Sequence, residues 1–279
     1  TPDTLEYLTG IKVYNLGVSG ETSNEIALRQ GGIKMYVDNT FEVGYDDSVE
    51  VSIVDEYGNP VYMADFSAYG YVEPHEPDVV YINDDMFKIT GTEETGLYIC
   101  RYSEDNVDYD AFTTVYEGTE VITKASYERK GDILILEIGS NGGWDNYRQL
   151  ISQYDAMIQN AGCDYYIIVG DTDDPGTSIA DTSQGFCNED GTYIGVGDTA
   201  WEATLSEAYG EHFINMRTYL IENGLKDAGL RTTSADYRGF RRGRISKQLR
   251  SDWTHFNSYG YYAKGLAIYE KGVELGYWK

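Results

Sequence analysis

The residues of this sequence best suited to chemistry are an aspartate and a histidine near its end. Asp252 precedes His255 by three positions in the stretch RSDWTHFN, and the chain has 3 histidines in all. A carboxylate that accepts from one imidazole nitrogen fixes the tautomer and leaves the other nitrogen able to take a proton from a nucleophile. The spacing therefore predicts half of a hydrolytic triad.

Two glycine-containing turns supply candidate donors to an oxyanion. The sequence NLGVSGETS, which follows a short apolar strand expected over residues 11–14, contains Gly20. The apolar run of ILILEIGSNGGW leads into a turn that contains Asn141. A glycine lets its backbone N–H approach a substrate closely, and a neutral amide donates without neutralising a nearby charge. Each residue alone also fits a loop position set by turn geometry. Their order along the chain with DWTH favours the chemical interpretation.

In this order the three segments resemble the second, third and fifth sequence blocks of the SGNH hydrolases, also called GDSL esterases and lipases. The resemblance implies that Gly20 and Asn141 donate to an oxyanion, that His255 is the general base, and that Asp252 orients it. In the family an aspartate follows the block-three asparagine, whereas Gly142 stands at that position here.

The first family block, a strand that ends in Gly-Asp-Ser and carries the nucleophile, has no counterpart here. Residues 1–8 resemble the helix after that block, so we expect the chain to begin too late to include it. The missing strand would be central, and each buried backbone group left unpaired costs about 1–3 kcal/mol. We therefore expect that the fragment does not fold alone. The serine then comes from a further segment or from another chain, or it has been lost.

Two other arrangements of the chemistry are disfavoured. Thr172, in the phrase IIVGDT, follows a strand that comes after the third block, and the hydroxyl of Ser19 would point the wrong way for a nucleophile. A metal-dependent hydrolase that used Asp171, Asp173 and Asp174 would need a histidine near that loop. We expect neither a metal nor a cofactor.

Alternating strand and helix patterns predict an α/β fold with a doubly wound parallel sheet, the flavodoxin-like three-layer fold that the resemblance implies. Residues 132–138 are typical of a buried parallel strand, and residues 144–158 repeat apolar side chains at helical spacing. A long polar loop is predicted up to about residue 199. A further amphipathic helix follows over residues 201–220, with His212 packed and hydrogen bonded on its apolar stripe. The sites of such sheets gather at the carboxyl ends of the strands.

The segment between the second and third blocks has a different composition. It is acidic and rich in Tyr, Val, Thr and Gly, and short alternating runs such as 86–90 and 120–123 predict half-buried antiparallel strands. We interpret residues 33–126 as an inserted antiparallel β domain. Residues 1–32 and 127–279 form the SGNH hydrolase-like domain.

Composition excludes some partners. The 47 acidic and 21 basic residues give a formal net charge of −26, which argues against nucleic acid and anionic membranes. No apolar run approaches the ~20 residues of a membrane span, and the start lacks a targeting pattern. The acidic composition favours a place outside the cell or at its surface, and a cytoplasmic place stays open. The three cysteines Cys100, Cys163 and Cys187 show no metal spacing and no disulfide framework.

A basic cluster interrupts this acidic chain shortly before the histidine segment. Its side chains either bind carboxylates of a substrate or, as charge runs usually do, pair with acids of the protein itself. The cluster consists of Arg231, Arg238, Arg241, Arg242, Arg244, Lys247 and Arg250.

The sequence thus predicts an SGNH-type serine esterase that acts on acyl esters, acetyl esters among them, of small molecules or carbohydrates. The 27 tyrosines and the β insertion favour a carbohydrate over a lipid. The alternative is a non-catalytic carbohydrate-binding or scaffold module on a decayed hydrolase fold.

Overall fold

The structure, a computed structural model, describes residues 1–44, 47–62, 79–103, 112–175 and 198–279. The chain divides into two compact units, each with a hydrophobic core of its own. The parallel-sheet unit comprises Thr1–Asn15, Ile133–Ile151 and Tyr165–Lys279, and the antiparallel-sheet unit comprises Leu16–Asp132 and Ser152–Asp164.

The strands of the described residues are β1 (Met35–Val37), β2 (Phe41–Val43), β3 (Ser48–Val51), β4 (Ile53–Asp55), β5 (Val79–Ile82), β6 (Asp85–Thr92), β7 (Gly96–Arg101), β8 (Thr113–Val115), β9 (Glu120–Thr123), β10 (Leu134–Leu136), β11 (Tyr166–Val169) and β12 (Phe213–Ile214). The α-helices are α1 (Pro2–Thr9), α2 (Ser23–Arg29), α3 (Lys124–Glu128), α4 (Tyr147–Ala161), α5 (Ala200–Tyr209), α6 (Met216–Glu222), α7 (Gly224–Asp227), α8 (Ser234–Phe240) and α9 (Ser258–Glu274). Short 3₁₀ helices cover Gly210–His212 and Lys247–Leu249.

The antiparallel-sheet unit contains a seven-stranded sheet of order β3-β7-β6-β5-β9-β1-β4 and a two-stranded ribbon of β2 and β8. Asn83 and Asp84 join β5 to β6 with φ angles of 52° and 67°, the two-residue turn whose twist matches a hairpin and which these residue types tolerate. On β6, Gly91 has no room for a side chain, because an added Cβ would lie 2.0 Å from the Gly96 carbonyl oxygen. The strands predicted at 86–90 and 120–123 are confirmed within β6 and as β9.

The parallel-sheet unit contains β10, β11 and β12 in that order, and both pairings are parallel. The side chains of Ile167 and Val169 are buried and share a core with Leu5 of α1 and with Ala263 and Ala267 of α9. Helices α1 and α9 therefore cover apolar side chains of the strand that carries the candidate site.

The predicted doubly wound parallel sheet is wrong. The largest sheet is antiparallel, and the three parallel strands follow their sequence order, so the described residues lack the reversal of strand order that defines a doubly wound sheet. Residues 11–14, expected to be a strand, are irregular. The backbone N–H of Val13 donates to Glu6 Oε2 of α1 at 2.9 Å instead of to a neighbouring strand.

The single helix predicted over residues 201–220 is also wrong. Helix α5 ends at Tyr209, and Gly210 has a φ of 51°, which L-residues other than glycine rarely adopt. The apolar repeat that suggested one helix includes the third parallel strand, β12. His212 lies between α5 and β12 and is hydrogen bonded as predicted, with Nδ1 3.1 Å from the Tyr166 carbonyl oxygen and 2.9 Å from the Tyr277 hydroxyl.

The predictions about membrane spans and about cysteines can be compared with the described residues only. No helix among them has the length and apolarity that a bilayer crossing requires. The thiol of Cys100, on β7, donates to the Lys88 carbonyl oxygen at 3.7 Å, and Cys187 lies outside the described residues. So does most of the long polar loop predicted before α5, at residues 176–197.

Candidate active site

The candidate site lies at the carboxyl ends of β10 and β11, where parallel pairing brings the loops after the strands together. The Ser140 hydroxyl, in the turn after β10, donates to Asp171 Oδ1, after β11, at 3.0 Å. The edge of the sheet that the sequence indicates therefore carries polar side chains from both loops.

The histidine segment is a closed loop between the second 3₁₀ helix and α9. Arg250 and Phe256 form an antiparallel bridge, and the Ser251 N–H donates to the His255 carbonyl oxygen at 2.9 Å. Inside the loop, Asp252 Oδ1 accepts from the backbone N–H groups of Thr254 at 2.8 Å and His255 at 2.7 Å. Aspartate favours such turns because its short side chain reaches the backbone two and three residues on.

The second carboxylate oxygen of Asp252 contacts the imidazole. Asp252 Oδ2 lies 2.8 Å from His255 Nδ1. Donation from the His255 N–H, the imidazole and the Thr254 N–H lowers the pKa of Asp252 to about 2. An ionised carboxylate only accepts, so Nδ1 carries the hydrogen of the neutral ring and Nε2 holds the lone pair. The His255 side chain is 66% exposed, so a substrate can reach the imidazole ring.

Arg250 fastens the histidine loop to the loop after β11. Its Nη2 donates to the Thr172 carbonyl oxygen at 2.5 Å, and its Nη1 donates to the Thr254 carbonyl oxygen at 2.8 Å. The guanidinium also lies 4.9 Å from the centre of the Phe256 ring. In the sequence, Arg250 is one member of a basic cluster. Its position two residues before Asp252 is the signal that could have indicated a role in holding the histidine loop.

The loops after β10 and β11 also carry carboxyl groups. Burial first, and then the neighbouring charge of Asp173, raises the pKa of Asp171 to about 7. Burial also raises the pKa of Asp173, against the opposing positive charge of Arg250. Glu137, directly after β10, binds Lys264 of α9, whose Nζ lies 2.6 Å from both carboxylate oxygens and whose side chain is 7% exposed. The charged residue inside the apolar run ILILEIG was the available signal for Glu137.

We predict that Asp171→Asn makes the stability of the protein less dependent on pH. The raised pKa means that the folded state binds the Asp171 proton more tightly than the unfolded state, whose Asp pKa is about 3.9. Stability contributed by this group is therefore present at low pH, falls as pH rises from about 4 to about 7, and then stays level. Urea unfolding from pH 4 to 8 measures this slope. The exposed Asp145→Asn should leave it unchanged, and an equal slope in Asp171→Asn and wild type would refute the assignment.

The other predicted site residues occupy different places. Asn141 is exposed in the turn after β10. In the same turn a Cβ added to Gly139 would lie 2.8 Å from the Trp201 side chain. Gly20 lies in the antiparallel-sheet unit with a φ of 83°. The side chain of Thr172 is buried. The donor roles of Gly20 and Asn141 stay predictions.

One member of the basic cluster pairs with an acid of the loop after β11. Arg244 pairs with Asp174 at 3.5 Å, in line with the interpretation that the cluster meets the protein's own acids. Within the ranges that the structure describes, no group of three or more His, Cys, Asp or Glu side chains has the geometry to hold a metal ion.

Comparison with protein-family models, curated proteins and solved structures gave no match to this chain. The resemblance to the SGNH hydrolases therefore stays a prediction that depends on the sequence segments.

Proposed function

We propose that this chain provides the general base of a serine-type ester hydrolase, with His255 as the base and Asp252 as the group that orients it. The observation that carries the proposal is the contact of 2.8 Å between Asp252 Oδ2 and His255 Nδ1, beside an exposed ring. The pKa of about 2 keeps Asp252 ionised throughout the range in which ester hydrolases work. The pair is thus preset to accept a proton at Nε2 and to stabilise the resulting imidazolium.

The reaction follows from this geometry. A serine hydroxyl attacks the ester carbonyl carbon while its proton passes to His255 Nε2, and the carbonyl oxygen becomes an oxyanion. The imidazolium then gives its proton to the departing alcohol as the C–O bond breaks. Water repeats the sequence on the acyl-serine and releases the acid. The Asn141 amide is a candidate oxyanion donor, a role whose loss typically costs about 2.7–4 kcal/mol of barrier.

The nucleophile in this proposal is a serine outside the printed sequence. Among the described residues, Asp252 is the one hydrogen-bond partner of the His255 side chain. The loops after β10 and β11 carry the hydroxyls of Ser140 and Thr172. Neither is placed as a nucleophile, because Ser140 donates to Asp171 and Thr172 is buried. No hydroxyl among the described residues is thus placed to act on the imidazole, and the proposal assigns the nucleophile to a segment or chain beyond residues 1–279.

Covalent labelling of the full-length protein tests the proposal. We expect turnover of p-nitrophenyl acetate, inhibition by a fluorophosphonate, and a labelled serine that mass spectrometry places outside residues 1–279. A label on any serine or threonine of residues 1–279, Ser140 and Thr172 included, would contradict the assignment of the nucleophile. Absence of both turnover and label would contradict the hydrolase itself.

A non-catalytic carbohydrate-binding or scaffold module is the second candidate. It is favoured by the same observation, that no described hydroxyl contacts the His255 ring, and by Gly142 at the position where the resembled family has an aspartate. A protein that binds oligosaccharide and neither turns over an acetyl ester nor reacts with the fluorophosphonate would establish the module.

A further inference from the structure

We propose that Trp253 is a stacking platform for a neutral pyranose ring, and that this ring belongs to the alcohol part of the ester. The inference rests on the proposed function, because it assigns the substrate class to the loop that carries the base. It depends on the exposure of one tryptophan, the rigidity of the loop beneath it, and its place next to His255.

Trp253 differs from the other tryptophans of the chain. Its side chain is 69% exposed, whereas Trp201 and Trp278 are 2% and 8% exposed. Trp144 is half-buried and donates its indole N–H to the Gly139 carbonyl oxygen at 2.9 Å. A tryptophan left in water gives up the large stabilisation that its burial would bring. The position of Trp253 is therefore poorly explained by packing within the described residues.

The loop that carries Trp253 is fixed on both sides of the ring. Asp252 Oδ1 accepts from the two N–H groups that follow Trp253, and the Ser251 N–H donates to the His255 carbonyl oxygen. Arg250 holds the Thr254 carbonyl oxygen at 2.8 Å. The backbone under the indole is thus ordered before a ligand arrives, which removes much of the entropic cost of binding.

The shape of this surface favours a sugar over an acyl chain. An exposed indole offers one flat apolar face. A pyranose can cover that face with the C–H groups of one side of its ring while its hydroxyls remain in water. An alkyl chain would need apolar walls on several sides, as ligand pockets provide. A ring that is 69% exposed gives no such enclosure.

Charge indicates which kind of sugar this surface would bind, and distance indicates where its ester would lie. The formal net charge of −26 and the neighbouring Asp252 carboxylate disfavour uronic acids, phosphorylated sugars and anionic membranes. Trp253 and His255 are two residues apart, so their Cα atoms lie within about 7.6 Å of each other. We therefore place the ester of a ring stacked at Trp253 beside the imidazole.

Isothermal titration calorimetry with acetylated xylo-oligosaccharides tests this inference without requiring turnover. We expect saturable binding by the wild type, a roughly tenfold or greater loss of affinity in Trp253→Ala, and near-normal affinity in Trp253→Phe, which keeps an aromatic face. Tyr57→Ala is the matched control, because Tyr57 is 80% exposed and lies in the antiparallel-sheet unit.

Several outcomes would overturn the inference. These are no binding of the neutral oligosaccharides, equal affinity in Trp253→Ala and wild type, or an equal loss in Tyr57→Ala. Trp253-dependent binding of oligogalacturonate, or of phosphatidylcholine vesicles in place of the sugar, would overturn it as well. Ester turnover without Trp253-dependent binding leaves the hydrolase standing and removes the platform. Trp253-dependent binding without turnover leaves the stacking platform standing and removes the hydrolase.

Discussion

Replacing His255 with alanine in the full-length protein is expected to lower kcat for p-nitrophenyl acetate by roughly 10⁶-fold, and Asp252→Asn by roughly 10⁴-fold. The alanine removes the base. The asparagine can donate to Nδ1 and thereby favours the tautomer whose Nε2 carries the hydrogen, which is the wrong form for a base. The order of the two effects is therefore part of the prediction.

The structure offers controls for both variants. The two side chains are 66% and 47% exposed, so neither substitution should change folding, as circular dichroism can check. Asp145→Asn changes an exposed aspartate away from the loop, and His212→Gln changes a histidine that is hydrogen bonded to Tyr166. Both should retain wild-type kcat. Turnover within about tenfold of the wild type in His255→Ala would exclude the imidazole as the base.

The largest expected effect on stability comes from a buried ion pair in the parallel-sheet unit. Arg217 of α6 and Glu202 of α5 are 1% and 3% exposed, and the guanidinium donates to the carboxylate through Nε at 2.7 Å and Nη2 at 2.5 Å. Arg217→Met would leave a buried carboxylate without its counter-charge. We expect a loss of about 3–5 kcal/mol in the free energy of unfolding.

Urea unfolding followed by tryptophan fluorescence measures this loss, because all four tryptophans lie in the parallel-sheet unit. The double variant Glu202→Gln/Arg217→Met removes both charges of the pair and should lose less than Arg217→Met alone. Lys12→Met breaks an exposed pair with Glu6, whose side chains are 66% and 40% exposed, and should cost less than about 1 kcal/mol. Equal losses in Lys12→Met and Arg217→Met would contradict the argument.

Features set by neighbouring residues could be predicted from the sequence. Helix α2 begins after Thr22, whose side chain and that of Glu25 cap each other's backbone N–H, as the sequence ETSNE indicates. The contact between Asp252 and His255 is of the same kind, since an aspartate at a turn reaches the backbone and side chain three residues on. Short-range spacing is sufficient information for such contacts.

Features that join distant residues could not be predicted. Sheet order depends on pairings such as β5 with β9, which no local pattern specifies. The same is true of Ser140 with Asp171 and of Arg250 with Thr172, which are 31 and 78 positions apart. The error over residues 201–220 had another cause, because apolar residues at helical spacing continued through Gly210 into β12.

The acid and the imidazole both come from one stretch of four consecutive positions, and the bonds that align them stay inside it. The contact between the two side chains therefore depends on bonds within this stretch, while Ser251 and Arg250 hold the loop around it. Insertions or deletions in other segments can change which compounds reach the imidazole without disturbing its tautomer. Evolution, or a protein engineer, can thus alter the surroundings of this tetrapeptide and keep the contact between its carboxylate and its imidazole.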